Sequence, residues 1–136
     1  MLKLIDADDK YLNQYKEAYI ESLKQIELGN MKKHNMMFID PDKEDIIQKF
    51  MDNRDQSKLP SQYVPSYDYF AVDDDKFIGV IHIRIRLTEN LFRYGGHIGY
   101  AINPKYWNQG YGKELLKLGL EQYKNLIEED NILITC

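Results

Sequence analysis

A twisted sheet of mixed antiparallel and parallel strands, flanked by helices, is the α/β architecture that this sequence predicts, and three observations predict it. Two amphipathic helical stretches open the chain. A hairpin signal follows, with Tyr67 to Val72, a turn at Asp73-Asp74-Asp75 and Phe77 to Leu87. The stretch from His97 to Cys136 then reads as strand, turn, helix, strand, which implies a parallel pair joined by a right-handed crossover.

In chain order, Leu2 to Ile5 is a short apolar strand, and Asp8 or Asp9 offers an N-cap for a helix from about Lys10 to Leu28. Tyr11, Leu12, Tyr15, Ala18, Tyr19, Leu23 and Ile26 share one face at helical spacing, and Gly29-Asn30 stops the helix. Met31 to Ile39 has no clear period and reads as a connection packed on something apolar. Asp40-Pro41 restarts a helix, Asp40 as N-cap and Pro41 at its first position, with Ile46, Ile47, Phe50, Met51 and Arg54 on its face.

Asp55 to Ser66 is a loop. The second hairpin strand then alternates, with Ile81, Ile83, Ile85 and Leu87 on one side and Val80, His82, Arg84 and Arg86 on the other. The side carrying His82 and Arg84 has two readings, exposure to water or the floor of an acceptor pocket. Thr88 to Gly96 is a loop, His97 to Ile102 a strand, about Gly110 to Glu128 a helix, and Asn131 to Cys136 a last strand.

Composition bounds the function. A chain of 136 residues with 43% hydrophobic content supports one domain with a real core. Eighteen basic against 22 acidic residues, with no basic stripe, disfavour nucleic acid as a partner. No apolar run approaches the ~20 residues of a membrane span, so no membrane partner is expected. The single cysteine, Cys136, fits a reducing compartment, and the expected location is cytoplasmic. The triple Asp reads as a solvated turn, and no metal is assigned.

The chemistry concentrates in Gly99 to Tyr123. A Gly-rich turn feeding a helix start aims unpaired backbone N–H groups and the positive end of the helix dipole at one point, which suits a phosphate. Leu115 stands where a dinucleotide fold would carry its third glycine, and Lys113 is followed by Glu114 rather than by the Ser or Thr of a nucleotide-triphosphate loop.

Trp107-Asn108-Gln109-Gly110-Tyr111-Gly112 resembles the acetyl-coenzyme A loop of the GNAT superfamily of N-acetyltransferases, with Trp107 in place of the usual Arg or Gln. The Tyr106-Trp107 pair ahead of Gly-Tyr-Gly resembles the ribosomal-protein branch of that superfamily. Gly95-Gly96-His97-Ile98-Gly99-Tyr100 resembles the branch loosely described as predicted acetyltransferases. The likeness spans roughly Tyr67 to Cys136 and is most specific from Gly95 to Leu120.

The resemblance implies a single GNAT-like domain over residues 1–136, with helices at 8–56 on the acceptor side and the sheet and acetyl-CoA-binding core at 67–136. It implies acetyl transfer from acetyl-CoA to a primary amine, carried by a small molecule or a peptide, through direct attack on the thioester. Tyr100 and Ile102 would pair with the pantetheine through their main chain, beside Ala101, and the Tyr100 N–H would polarise the thioester carbonyl. Backbone groups from about Asn108 to Lys113, with Trp107 alongside, would hold the pyrophosphate, and Lys105, Lys113 or Lys117 are available for further phosphate contact. Gly110 and Gly112 matter most there, since a bulky residue would block the approach or strain the turn.

An ammonium nucleophile must lose a proton, and His82 leads His97 and Glu89 as the base. The sequence stops at Cys136, where the family usually continues with two strands and a helix that often bears the Tyr protonating the leaving thiolate. A C-terminally truncated GNAT-like fold is therefore expected, with a homodimer through the terminal strand as a physical expectation. The competing readings are a degenerate coenzyme A-binding or regulatory domain, and a module in which Gly110-Tyr111-Gly112 is only a helix start.

Overall fold

The computed structural model describes residues 1–86 and 96–126. Its strands are β1 (Lys3–Ile5), β2 (Ser66–Asp73), β3 (Lys76–Arg84) and β4 (Ile98–Ile102), and its α-helices are α1 (Leu12–Glu27), α2 (Ile46–Asp52) and α3 (Tyr111–Tyr123). The described strands form one antiparallel sheet in the order β1-β2-β3-β4. The expected terminal strand, and with it the parallel pair and the dimer edge, lies outside the described residues, as does Glu89.

Two hydrophobic layers sandwich the sheet. Under α1 and α2, Tyr11, Tyr15, Phe38, Phe50, Phe70 and Phe77 form an aromatic cluster. Under α3 the core is mainly aliphatic, with Ile78, Ile81, Ile83, Ile98 and Leu115 around Tyr69 and Tyr123. The β2–β3 pairing shifts between Ala71 and Val72, so that Ala71 faces Gly79 while Val72 faces Phe77. Ile78 is the extra residue of a β-bulge, and the shift sets Asp68 opposite His82.

Several expectations are corrected. The second helix starts at Ile46, not at Pro41: Asp40 closes an isolated turn through Asp42, and Asp45 caps the helix by accepting from the Gln48 N–H at 3.1 Å. An aspartate cap inside the expected span ends one turn and begins another, because its carboxylate competes for the same amide donors. On α1, Leu23 stays 46% exposed while Ser22 is fully buried, so the inward stripe runs Tyr15, Ala18, Ser22. Met51 is exposed, and Arg54 lies beyond α2, stacked over the rings of Tyr67 and Tyr69. Val80, expected on the polar side of its strand, is buried in the aromatic cluster.

Candidate functional site

β4 borders an open groove. The Asn103 N–H donates to the Ile78 carbonyl and the Arg84 N–H to the His97 carbonyl, which sets the phase of the β3–β4 ladder. By the two-residue alternation of an antiparallel pair, the peptide groups of Gly99 and Ala101 engage β3, whereas those of Tyr100 and Ile102 point away from it. Beside β4 lies a groove of about 590 Å³ lined by Gly29 to Lys32, His34 and Asn35 and by Tyr100, Ala101, Ile102 and Trp107. Ala101 borders the groove while its peptide groups engage β3.

Trp107 has a defined role in this edge. Its indole N–H donates to the Ile102 carbonyl at 3.0 Å, so the side chain is pinned along the end of β4 and the carbonyl already has a donor. Asn103, buried at the end of β4, donates to the Phe77 carbonyl and accepts from the Lys105 N–H, which starts the short 3-10 turn Pro104–Tyr106. The strand end and the loop that follows are thus fixed to β3.

The loop then turns on two left-handed residues, Asn108 at φ 64° and Gly110 at φ 84°. Gly110 is the N-cap of α3 and brings no side-chain acceptor. The amides of the first turn, at Tyr111, Gly112 and Lys113, precede the intrahelical ladder, so they and the helix dipole are left for an outside acceptor. Nothing lies within 4 Å of where a Gly110 Cβ would stand. The constraint at Gly110 is its backbone conformation, together with the open space that a ligand needs. Gly112 differs: a Cβ there would make an ordinary 3.5 Å contact with the Tyr100 ring, so a small side chain fits. Asn108, Gln109 and Lys113 are exposed, as are Lys105 and Lys117, and Tyr111 donates its hydroxyl to Asp73 at 3.0 Å.

The second part of the site lies on the aromatic face of the sheet. His82 directs Nδ1 at Asp68 Oδ1 in a short contact. The other carboxylate oxygen, Oδ2, accepts from Ser66 Oγ at 3.1 Å and from Asn53 Nδ2 at 3.2 Å. Asp68 is buried, and burial by itself would raise its carboxyl; the charge and hydrogen bond of His82, with the bonds from Asn53 and Ser66, outweigh that and hold it below its ordinary value. Neighbouring Arg84, whose guanidinium donates to the Gly96 carbonyl at 2.8 Å, is lowered by burial, with the Asp68 charge acting against that.

Sequence reasoning reached His82 but missed Asp68, Asn53 and Ser66. A usable signal was the alternation in Ser66 to Val72, where Ser66 and Asp68 share the face of Phe70 and Val72. His97 is 1% exposed with its ring edge-on to Tyr123 at 5.3 Å, which leaves it out of reach of a substrate in the groove. Among the described residues no group of three His, Cys, Asp or Glu side chains is arranged to hold a metal ion. No described helix is long and apolar enough to cross a membrane.

Residues 31–134 match the model of the acetyltransferase (GNAT) family. The chain belongs to that family. The match covers the groove-lining Met31, Lys32, His34 and Asn35, the Asp68–His82 pair, β4 and the glycine turn, and it supports acetyltransferase-type activity. Members of the family generally use acetyl-CoA and act on amine acceptors in small molecules or peptides. No curated protein and no solved structure gives a significant match to the chain.

Proposed function

We propose that this GNAT-family chain transfers an acetyl group from acetyl-CoA to a primary amine by direct attack. The observation that carries the reading is the succession along one stretch of chain of a strand, β4, and Trp107 lining a groove, then a helix start that its own cap leaves unsatisfied. An extended pantetheine has amides that the main-chain groups of a strand can pair, and a pyrophosphate suits the first-turn amides of α3. The residues present fit the coenzyme: Tyr100 and Ile102 at the edge, Ala101 and Trp107 beside them, and the backbone from Asn108 through Gln109, Gly110, Tyr111 and Gly112 to Lys113 at the phosphates.

Bound there, acetyl-CoA supplies an activated acetyl thioester. By the family resemblance the Tyr100 N–H would be the donor to the acetyl oxygen, and such a donor contributes roughly 3 kcal/mol because charge grows on that oxygen only towards the transition state. His82 takes one proton from the ammonium of the acceptor and returns it to water. The amine nitrogen forms the C–N bond as the C–S bond breaks, and its second proton leaves with the thiolate as free thiol. His82 faces Gly99 across the β3–β4 ladder, a position with no side chain to screen the ring from the β4 edge.

Calorimetric titration with acetyl-CoA, followed by an amine screen, tests the reading. The parent chain is expected to bind and turn over, and Gly110→Trp to lose coenzyme binding while keeping its fold, since the substitution fills the space in front of the helix start. Unchanged affinity in a folded Gly110→Trp protein would remove the phosphate turn from the site. Binding without turnover of any amine would favour a degenerate coenzyme-binding domain.

A further inference from the structure

We infer that Asp68 is a positioning residue for acetyl transfer, holding the His82 ring in the orientation and tautomer that present the Nε2 lone pair to the acceptor amine; the inference rests on the acetyl-transfer reading above. The geometry supplies the reason. An ionised carboxylate only accepts hydrogen bonds, so Nδ1, in contact with Asp68 Oδ1, has to be the donor. With Nδ1 protonated, the neutral ring carries its lone pair on Nε2. The opposite tautomer would set two lone pairs against each other in a site that is largely closed to water.

Asp68 is itself held. Its side chain is 9% exposed and that of His82 23%, so the pair has a closed end at the carboxylate and an open end at the ring. Asn53, the C-terminal cap of α2, and Ser66, at the start of β2, both donate to Oδ2, which leaves Oδ1 to the histidine. Two elements thus fix one carboxylate, and the carboxylate fixes one ring. Among the described residues, the charged and titratable groups around the pair are Arg84 on β3 and Tyr15 on α1, both of which sense the Asp68 charge. A core polar cluster that served stability alone would not require an open end.

Asp68→Asn makes the test specific. Asn53 and Ser66 would hold the amide oxygen of the new side chain and turn its NH2 towards Nδ1, which must then accept, so the ring proton moves to Nε2 and the lone pair is lost. The expected result is a fall in kcat of about a hundredfold, the lower range for a proton-transfer group. Acetyl-CoA affinity and the KM for the amine should stay essentially unchanged, and the 15N spectrum of His82 should switch tautomer. Unchanged kcat in a folded Asp68→Asn protein overturns the inference, and so does a parallel loss of coenzyme binding, which would mark a purely structural role.

The parent chain supplies a reading that needs no variant. Its neutral His82 should show the Nδ1–H tautomer by 15N chemical shift, and an Nε2–H ring overturns the proposal even if Asp68→Asn does not fold. Asn53→Ala, which loosens the carboxylate without removing it, should lower kcat several-fold, and an unaltered kcat counts against the proposal. A parent that binds acetyl-CoA but acetylates no amine fails the acetyl-transfer reading itself. That outcome is visible before any Asp68 variant is made.

Discussion

The two faces of the sheet are built on different terms. Under α3 the inward side chains are mainly aliphatic, and Gly119 lets the helix approach so closely that a Cβ there would stand 2.3 Å from the Ile81 Cδ1. Under α1 and α2 the inward side chains are aromatic and end in a polar corner of Ser66, Asp68 and His82. A close-packed aliphatic layer tolerates no buried charge without a partner, whereas the aromatic layer is interrupted by one whose donors come from α2, β2 and β3. The difference teaches which side can do chemistry. One face anchors the helix that follows the glycine turn, and the other carries the titratable pair next to the edge of β4.

The largest expected break in this comparison is at Phe70, the centre of the aromatic layer. Its ring is 5.0 Å from that of Phe77 and 5.6 Å from those of Tyr15 and Phe50. Phe70→Ala removes all three contacts from a fully buried position. The expected loss is about 4 kcal/mol, measured as a shift in the urea midpoint with the slope unchanged. Because Phe70 shares its face and strand with Asp68, turnover should fall more than the folded fraction does. A variant that loses less than about 1 kcal/mol would mean that the aromatic layer is loosely packed.

Two glycines separate backbone from side-chain constraint. A Cβ on Gly79 would stand 2.2 Å from the Ala101 carbonyl oxygen, so β3 and β4 would have to part. On Gly119 the obstacle is the far end of a flexible isoleucine. Gly79→Ala should cost about 3 kcal/mol and weaken acetyl-CoA binding, since it displaces β4 itself. Gly119→Ala should stay within about 1 kcal/mol of the parent, because the ~1 kcal/mol gain in helix propensity offsets much of the repacking. Equal effects at the two positions would show that β4 yields as easily as a side chain.

Much of this arrangement was legible in the residues. The hairpin, the strand and helix around the glycine turn, and α1 to within two residues at its start follow from periodicity, Gly and Pro punctuation and Asp caps. The pairing of Asp68 with His82 was not. Counting back from the Asp73–Lys76 pair without a bulge would set Asp68 against Ile81 and put the carboxylate and the imidazole on opposite faces. A single extra residue, Ile78, reverses that, and no local propensity marks Ile78 as a bulge. The start of α2 was misplaced because Asp40-Pro41 and Asp45 are both sound helix openings, and only packing of Ile46 and Phe50 into the aromatic layer selects the second. Ser22 in place of Leu23 on the buried stripe of α1 follows from the same cause, since which neighbour meets the sheet depends on the helix's rotation against it.

Tyr15 tests the aromatic layer with the smallest change, one oxygen atom. Its hydroxyl accepts from the Ile39 N–H at 2.9 Å and so ties the segment after the groove wall to α1. Tyr15→Phe leaves that amide without its acceptor, at an expected cost of about 1–2 kcal/mol at neutral pH. The pH dependence identifies the cause. Burial pushes the phenol up from 10.0 to about 12, the Ile39 N–H acting against it and the Asp68 charge with it. A raised value in the folded state means that the stability contribution is complete below pH 10.0, where the phenol is neutral in both states, and is lost as the pH rises towards 12. Over two units that loss is roughly 3 kcal/mol for the parent, and Tyr15→Phe has no such group to ionise. The variant should therefore be the less stable protein at pH 7 and should draw level with or overtake the parent by about pH 12, as followed by denaturant midpoints against pH. Parallel curves across that range would mean that the Tyr15 hydroxyl reaches water and that the layer beside Asp68 is open at this end.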